Sequence, residues 1–239
     1  MVTENYAKIE ERVEAACKRA GRERKSVTVI AVSKTKPDEM VVELAGAGVR
    51  DFGENKPQEL KRKHDGILST QDADGNITTP LKWHMIGNLQ TNKVKMVVGR
   101  ACLIHSVPSI HLAQAISDQA RKSGLIVPIL IEINIADEET KHGANASETE
   151  ALVRSAAALP GLKVMGLMAI APPVEDPEDN RKYFRRLREM RDELRSKNIE
   201  NAPMTELSMG MTGDFEVAVE EGATYIRVGT AIFGERTYA

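Results

Sequence analysis

The chain has 239 residues, of which 41% are hydrophobic and 28% are charged. This composition is typical of a globular protein with a substantial core, so it excludes the disordered and fibrous classes. A net charge of −2 and an isoelectric point near 6.3 argue against nucleic-acid binding, because phosphate neutralisation needs a basic surface.

The first twenty residues predict a helix. Ile9, Val13 and Cys17 recur at helical spacing, and Gly21 follows where such a helix would end. The N-terminus lacks the continuous apolar stretch of a signal peptide, and no stretch of the sequence approaches membrane-span length. Cys17 and Cys102 lack the spacing of a zinc or redox pair, so we expect both to be buried thiols of a cytoplasmic protein.

Eight short β-branched stretches alternate with amphipathic ones along the rest of the chain. The predicted strands cover residues 27–33, about 49–53, 82–87, 102–107, 127–135, 163–169, 206–210 and 225–229. Strict alternation of strand and helix predicts a parallel sheet, and eight units favour closure into a barrel over an open sheet. We therefore predict an α/β fold, a single (β/α)8 TIM barrel over residues 1–239 with an extra N-terminal helix.

Some intervening segments carry further signals. Ser147 and Glu150 form a capping-box pattern for a helix that ends near Leu159. Residues 181–188 mix basic with apolar side chains, which we interpret as the solvated face of an amphipathic helix rather than a nucleic-acid site. Residues 69–80 are polar and turn-rich, and they predict a surface loop.

Candidate site residues follow from the predicted barrel, because (β/α)8 barrels place their active sites at the carboxyl ends of the strands. Lys34 ends the apolar first strand, where burial would favour the uncharged amine that attacks a carbonyl. An ordinary lysine that reaches water is the commoner outcome at such a position. The other strands carry, at or near these ends, Glu54 and Asn55, His84, Asn88, Ser106, Asn134, Met168, Ser208, Arg227, Gly229 and Thr230.

Strands 7 and 8 carry a candidate phosphate site. Gly229 lets a ligand approach the backbone, Thr230 adds a hydroxyl at a helix start, and Ser208 supplies a second hydroxyl. A glycine-containing barrel corner explains these residues equally well. Arg227 lies on the same side of its strand as Gly229, and its permanent charge needs a partner. The candidates are a cofactor atom or one of the carboxylates Glu54, Glu132 and Glu206.

The histidines do not predict a metal site. His84, His105 and His142 lack a second histidine or carboxylate at zinc-ligand spacing, so we expect core or hydrogen-bonded roles. The sequence also lacks the Gly-x-Gly-x-x-Gly and Walker-type loops that anchor NAD and ATP.

Seven motifs follow one another along nearly the whole chain. They are Ala-Val-Ser-Lys-Thr-Lys-Pro (31–37), Phe-Gly-Glu-Asn (52–55), Trp-His-Met-Ile-Gly (83–87), Leu-Gln-Thr-Asn-Lys (89–93), Gly-Leu-Met-Ala-Ile (166–170), Leu-Ser-Met-Gly-Met (207–211) and Arg-Val-Gly-Thr-Ala-Ile-Phe-Gly (227–234). Together they make the chain resemble the pyridoxal-phosphate homeostasis protein family. The barrel of that family is similar to the N-terminal domain of alanine racemases, which belong to fold type III of the pyridoxal-phosphate proteins.

The resemblance implies that pyridoxal 5′-phosphate is the cofactor and that it is held as an aldimine on Lys34. The other implied cofactor-binding residues are Ser208, Gly229 and Thr230 for the phosphate, Arg227 for the pyridine nitrogen, and Asn55 and Met168 for the ring. A permanently charged donor at the pyridine nitrogen disfavours its protonation, so the ring is a poorer electron sink than one paired with aspartate.

The resemblance further implies a cytoplasmic carrier that buffers pyridoxal 5′-phosphate, with no catalytic residues and no metal. Alanine racemases add a second domain with a catalytic tyrosine, which we do not expect in this chain. A racemase-type enzyme and a cofactor-free Schiff-base aldolase are the alternatives. We expect a monomer whose partners are apoenzymes that need the cofactor, and neither nucleic acid nor membrane.

Overall fold

Eight parallel strands close into a barrel, and each strand pairs with its neighbours in chain order. They are β1 (Thr28–Val32), β2 (Asp51–Glu54), β3 (Lys82–Met85), β4 (Ala101–Val107), β5 (Val127–Ile133), β6 (Leu162–Ala169), β7 (Glu206–Met211) and β8 (Tyr225–Val228). Pairing of β8 with β1 completes the closure. Each strand overlaps a predicted one, so the predicted α/β barrel is confirmed.

The structure is a computed structural model that describes residues 1–67, 80–136 and 143–235. Its helices are α1 (Val2–Arg19), α2 (Asp38–Gly46), α3 (Pro57–Gly66), α4 (Val94–Val97), α5 (Ile110–Ser123), α6 (Thr149–Ala157), α7 (Arg181–Ser196), α8 (Phe215–Glu220) and α9 (Thr230–Phe233). Within these described ranges, no helix combines the length and apolarity needed to cross a membrane. The predicted loop at 69–80, except for Pro80, and His142 lie outside the described residues.

Helix α1 precedes the first strand, as predicted, and packs against α8 and α9. Its apolar face, which includes Val13 and Cys17, is buried. On its polar face, Arg19 donates to Glu220 at 2.6 Å and to Glu216 at 2.9 Å. The helix ends at Arg19, two residues before Gly21, whose φ of +64° is easily adopted only by glycine.

Two sequence predictions are wrong in detail. Ser147 is not a helix cap, because it lies in the 3-10 turn Ala146–Glu148 and α6 begins only at Thr149. The Thr149 hydroxyl instead donates to the Asn145 carbonyl at 3.1 Å. Cys102 is exposed at the start of β4, whereas Cys17 is buried as predicted.

The basic helix α7 is amphipathic, as predicted. Its apolar side chains, including Leu187, are buried. Arg181, Arg185 and Arg188 lie 3.1, 3.0 and 3.0 Å from the carboxylate of Glu221. The basic cluster is therefore paired within the protein, which agrees with its interpretation as a helix face.

The barrel interior contains two apolar clusters and a group of rings. Ile30, Val32 and Ile86 form one cluster, and Leu103, Leu130 and Met168 form the other. Tyr225 packs against both clusters, and its ring centroid lies 5.6 Å from those of His84 and His105. Polar rings thus occupy the middle of the barrel, beneath the residues that follow the strands.

Candidate ligand-binding site

A cavity of 360 Å³ opens at the carboxyl ends of the strands, where the sequence predicted a site. Its volume falls in the usual range for small-molecule sites, about 300–1,000 Å³. The cavity is lined by Val32, Lys34, Lys36, Asn55, Ile86, Ile170, Met211, Thr212, Gly213, Arg227, Gly229, Thr230 and Gly234. Five of the predicted cofactor-binding residues are in this lining, namely Lys34, Asn55, Arg227, Gly229 and Thr230.

Ser208 and Met168 do not line this cavity. Both are fully buried, and Met168 packs against Leu103 and Leu130 inside the barrel. Thr212 reaches the cavity from the end of β7 instead. The motifs did not single out Thr212, although the rule that the loops after strands 7 and 8 bind phosphate could have found it.

Lys34 lies in a tight turn between β1 and α2. The Lys36 N–H donates to the Ser33 carbonyl at 3.0 Å, and Thr35 has a φ of +63°, as the third residue of a type II turn requires. A β-branched residue is strained in this conformation, and such strain is concentrated at functional sites. The Thr35 N–H donates to Glu59 Oε1 at 2.8 Å, which holds the turn in place.

A buried ion pair supports this turn from below. Lys63 Nζ donates to Glu54 Oε1 at 2.8 Å and to the Ser33 carbonyl at 2.7 Å, and both charged side chains are fully buried. The Ser33 hydroxyl donates to the same Glu54 oxygen at 2.6 Å. Burial raises the pKa of Glu54, while the charge and hydrogen bond of Lys63 oppose that rise. Glu54 therefore serves Lys63 rather than Arg227.

Asn55 is positioned by close contact with Gly87. A Cβ at position 87 would lie 2.4 Å from the Asn55 carbonyl oxygen and 2.6 Å from its Cα, so only glycine fits there. The Ser106 hydroxyl donates to the Gly87 carbonyl at 2.5 Å and fixes this segment from β4. The Asn55 side chain thereby lines the cavity from the end of β2.

Arg227 is held at the floor of the cavity. Its Nη1 donates to Ser208 Oγ at 2.6 Å, and its Nη2 donates to the Ala169 carbonyl at 3.0 Å. Burial lowers the pKa of Arg227 to about 10, against the opposing charges of Glu132 and Asp214, so the side chain stays charged at neutral pH. The hydrogen bonds of Arg227 are thus to a hydroxyl and a carbonyl, and Glu132 acts on it through its charge.

His84 and His105 are buried and hydrogen-bonded, as predicted. His84 Nε2 lies 3.0 Å from Asp51 Oδ1 and 3.5 Å from Cys102 Sγ. Burial opposes protonation, but the hydrogen bonds to Asp51 and Cys102 outweigh it and raise the pKa of His84 to about 9. Burial and the charges of His84 and Arg227 lower the pKa of His105 well below its usual value.

These two histidines predict a window of pH stability. The raised pKa of His84 stabilises the fold below pH 6.5, and this contribution is lost as the pH rises from 6.5 to about 9, up to about 3 kcal/mol. The lowered pKa of His105 acts in the opposite sense, so stability also falls as the pH drops below 6.5.

Urea unfolding at pH 6.5 and pH 9 measures the His84 contribution. Asp51→Asn removes the partner of His84, so we expect the variant to lose less stability than the wild type between these pH values. Equal losses in the two proteins would contradict the assignment, and other groups that titrate near pH 9 cancel in the comparison.

Comparison with known proteins places the chain among close relatives. The model of the family "Alanine racemase, N-terminal domain" matches residues 5–237. A pyridoxal phosphate homeostasis protein of Aquifex aeolicus is 44% identical over 235 residues, which cover 98% of each chain.

Two solved structures are similar over nearly their whole length. An unknown protein from Bifidobacterium adolescentis has a TM-score of 0.89 and 37% identity, covering 97% of this chain and 94% of that one. PipY of Synechococcus elongatus, solved with pyridoxal phosphate bound, has a TM-score of 0.81 and 32% identity, covering 98% and 100%.

Proposed function

This chain belongs to the pyridoxal phosphate homeostasis protein family, and we propose that it binds pyridoxal 5′-phosphate in the cavity at the carboxyl ends of its strands. The family resemblance that the motifs predicted is thereby confirmed. The observation that carries the proposal is the convergence of Lys34, Arg227 and Thr230 on one cavity from the ends of β1 and β8.

The donors of the cavity fit this cofactor. Lys34 brings an amine that matches an aldehyde, and Arg227 brings a buried cationic donor to the cavity floor. Hydroxyls and backbone amides of Thr212, Gly229 and Thr230 suit a phosphate, because successive N–H groups and hydroxyls bind its oxygens. When bound, pyridoxal 5′-phosphate supplies a reactive aldehyde and an electron-withdrawing pyridine ring.

Each side chain has one role in this proposal. Lys34 attaches the cofactor covalently through its amine, and the strained turn holds that amine over the cavity. Arg227 donates to the ring nitrogen, and Asn55 contacts the ring from the end of β2. Gly229 contributes its backbone to phosphate binding because it has no side chain to occupy the space.

For phosphate binding we add Thr212 to the predicted residues. We assign Ser208 to holding Arg227 instead of to contacting the phosphate. The Ser208 hydroxyl accepts from Arg227 at 2.6 Å and contacts His105 Nδ1 at 2.8 Å, so its hydrogen-bonding capacity is used inside the barrel. Met168 likewise lies beneath the cavity and does not contact the ring, because its side chain packs in the apolar cluster with Leu103.

A carrier role fits the cavity better than a racemase role. A racemase needs an acid and a base on opposite faces of the substrate carbon. The described residues that line the cavity include no tyrosine, histidine, cysteine or carboxylate. The amine of Lys36 does not supply the second base either, because its Nζ donates to the carbonyls of Gly234 and Glu235 at 3.0 and 2.7 Å. We propose a monomeric cytoplasmic carrier that exchanges the cofactor with apoenzymes.

The test is the visible absorption spectrum of the protein incubated with pyridoxal 5′-phosphate, before and after borohydride. We expect a yellow band that reduction abolishes and that Lys34→Ala lacks. The second amine among the described lining residues belongs to Lys36, and it is engaged by the carbonyls of Gly234 and Glu235. Peptide mapping after reduction should place the added mass on Lys34.

The matched control is Lys36→Ala, which removes a cavity lysine of the same segment and should keep the band. A wild-type protein that stays colourless would contradict cofactor binding. A band that survives in Lys34→Ala but not in Lys36→Ala would move the attachment to Lys36.

A further inference from the structure

A line of hydrogen bonds runs through the barrel from its amino-terminal end to the cavity. Asp51 Oδ1 lies 3.0 Å from His84 Nε2, and His84 Nδ1 lies 3.0 Å from His105 Nε2. His105 Nδ1 lies 2.8 Å from Ser208 Oγ, which accepts from Arg227 Nη1 at 2.6 Å. His84, His105, Ser208 and Arg227 are all at most 5% exposed. Bulk solvent therefore has little access to these four side chains.

The amino-terminal end of this line opens into a second cavity. This cavity of 230 Å³ is lined by Thr28, Asp51, Lys82, His84, Cys102, Leu103, Pro128, Met165, Glu206 and Tyr225. The groups that face His84 are Asp51 from β2, Cys102 and His105 from β4, and the ring of Tyr225 from β8. Lys82 and Glu206 add charges to the same cavity. Solvent thus reaches one end of the line, and the other end is Arg227.

Arginine can only donate, and an ionised aspartate can only accept. Burial and the charges of His84 and Arg227 lower the pKa of His105 and keep it neutral, so two arrangements of hydrogens satisfy this line. With His84 protonated on both nitrogens, its Nδ1–H donates to His105 Nε2. His105 must then be the neutral Nδ1–H tautomer and donate to Ser208 Oγ. Ser208 accepts from both His105 and Arg227.

With His84 neutral, the two hydrogen bonds of His105 reverse direction, while the bonds to Asp51 and from Arg227 keep theirs. His84 keeps its hydrogen on Nε2 for Asp51, and its Nδ1 accepts from His105 Nε2–H. His105 Nδ1 gives up its proton and accepts from the Ser208 hydroxyl. One proton is released to solvent overall, and within the line the Ser208 oxygen now has Arg227 alone as a donor.

We propose that His84, His105 and Ser208 are positioning residues that couple the charge at the amino-terminal cavity to the placement of Arg227 in the ligand cavity. The coupling operates through a change in the tautomer of His105, and the His105 ring stays neutral in both arrangements. The hydrogen-bond line itself stands without the cofactor. Its consequence for ligand binding rests on the proposed function, since Arg227 lines the cofactor cavity.

The first test observes the imidazole nitrogens directly by NMR in cofactor-free protein with 15N-labelled histidine. At pH 7 we expect two protonated nitrogens on His84 and the Nδ1–H tautomer of His105. As the pH rises and His84 loses its charge, His105 should change to the Nε2–H tautomer in the same transition. The guanidinium signals of Arg227 should shift at the same pH.

Two charge-neutralising variants distinguish the effect of the hydrogen bonds from the electrostatic effect of a charge elsewhere in the amino-terminal cavity. Asp51→Asn should move the His84 and His105 transitions together to lower pH, by about 1–3 pH units for the loss of an adjacent opposite charge. Glu206→Gln removes a negative charge from the same cavity without a hydrogen bond to His84 and should leave both transitions unchanged. Ser208→Ala should preserve the coupled histidine transition but abolish the shift of the Arg227 signals.

Three results would overturn the proposal. These are a His84 that is neutral at pH 7, a His105 tautomer that stays constant while His84 titrates, and equal shifts in Asp51→Asn and Glu206→Gln. A binding arm tests the consequence at pH 8, where Asp51→Asn should bind pyridoxal 5′-phosphate with several-fold altered affinity and Glu206→Gln with wild-type affinity. Equal affinities in all three proteins would overturn the effect on the ligand. If none of them binds the cofactor, the proposed function fails and the NMR result still decides the coupling.

Discussion

Replacing Lys63 with methionine is expected to lower the free energy of unfolding by about 3–5 kcal/mol. Removing one partner of a buried ion pair leaves the other charge buried and uncompensated, which is among the most destabilising single changes. Here the orphaned group is Glu54, which is fully buried and, among the described residues, retains the Ser33 hydroxyl as its one donor to Oε1. Urea unfolding monitored by circular dichroism measures the loss.

The same substitution should also weaken cofactor binding. Lys63 Nζ donates to the Ser33 carbonyl, and Ser33 is the first residue of the turn that carries Lys34. Loss of this donor frees the turn, and small displacements of a reacting group cost large factors in reactivity. We expect slower formation of the yellow band at a fixed cofactor concentration.

Two further variants identify the cause. The double variant Lys63→Met with Glu54→Leu should recover part of the lost stability, because it removes the uncompensated buried charge of Glu54. The Ser33 carbonyl and Glu59, whose Oε1 lies 3.0 Å from Lys63 Nζ, still lose their partner. Lys61→Met removes an exposed lysine of the same helix, paired with Asp65 at 2.8 Å, and should change stability by less than about 0.5 kcal/mol. A single Lys63 variant as stable as the wild type would show that the pair contributes nothing.

The sequence predicted the barrel well because its eight strands are short apolar β-branched stretches, and each stretch is separated from the next by a segment with helical periodicity. Burial of both strand faces leaves this pattern in the sequence whatever the order of the strands. The capping box at Ser147 failed because a local pattern of four residues cannot distinguish an α-helix start from a preceding 3-10 turn. Cys102 was predicted to be buried from residue type alone, although it lies at the exposed start of β4.

The sequence predicted at which end of the barrel the cavity lies, but not how far each side chain is from it along the barrel axis. Residues two apart on a strand point the same way, so Met168 points to the same side as Ile170, which does line the cavity. How far each strand extends along the barrel axis depends on the stagger between neighbouring strands, which the sequence of one strand does not encode. The pairing of β7 with β8 also shifts register between Ser208 and Met211. Ser208 pairs with Tyr225, the first residue of β8, whereas Thr212 follows the end of β7 and lines the cavity.

The long-range hydrogen bonds could not be predicted from the sequence for a related reason. Asp51 and His84 are 33 positions apart, and His105 and Ser208 are 103 positions apart. Asp51 meets His84 because β2 and β3 are paired neighbours, whereas His105 of β4 meets Ser208 of β7 only across the interior of the closed barrel. Lys63 gave no signal either, since a lysine on a helix is ordinarily solvated.

Replacing Gly87 with alanine is expected to damage both stability and cofactor binding. The added Cβ would lie 2.4 Å from the Asn55 carbonyl oxygen and 2.6 Å from the Asn55 Cα, so backbone rather than a flexible side chain must move. Overpacking of this kind costs about 1–3 kcal/mol and more where backbone is displaced. Asn55 follows β2 and lines the cavity, so its displacement should also weaken pyridoxal 5′-phosphate binding by more than about tenfold.

The contrast with Gly46→Ala shows why steric contact decides this outcome. Gly46 is the last residue of α2, and a Cβ added there would meet nothing within 4 Å beyond the backbone of its own helix. Its φ is not positive either, so alanine should be neutral or slightly stabilising at this position. Thermal unfolding and cofactor titration of the two variants make the comparison. If Gly87→Ala unfolds and binds as Gly46→Ala does, the β2 and β3 ends must be loose enough to separate. Asn55 would then be held by its own side-chain contacts and not by the absence of a side chain at position 87.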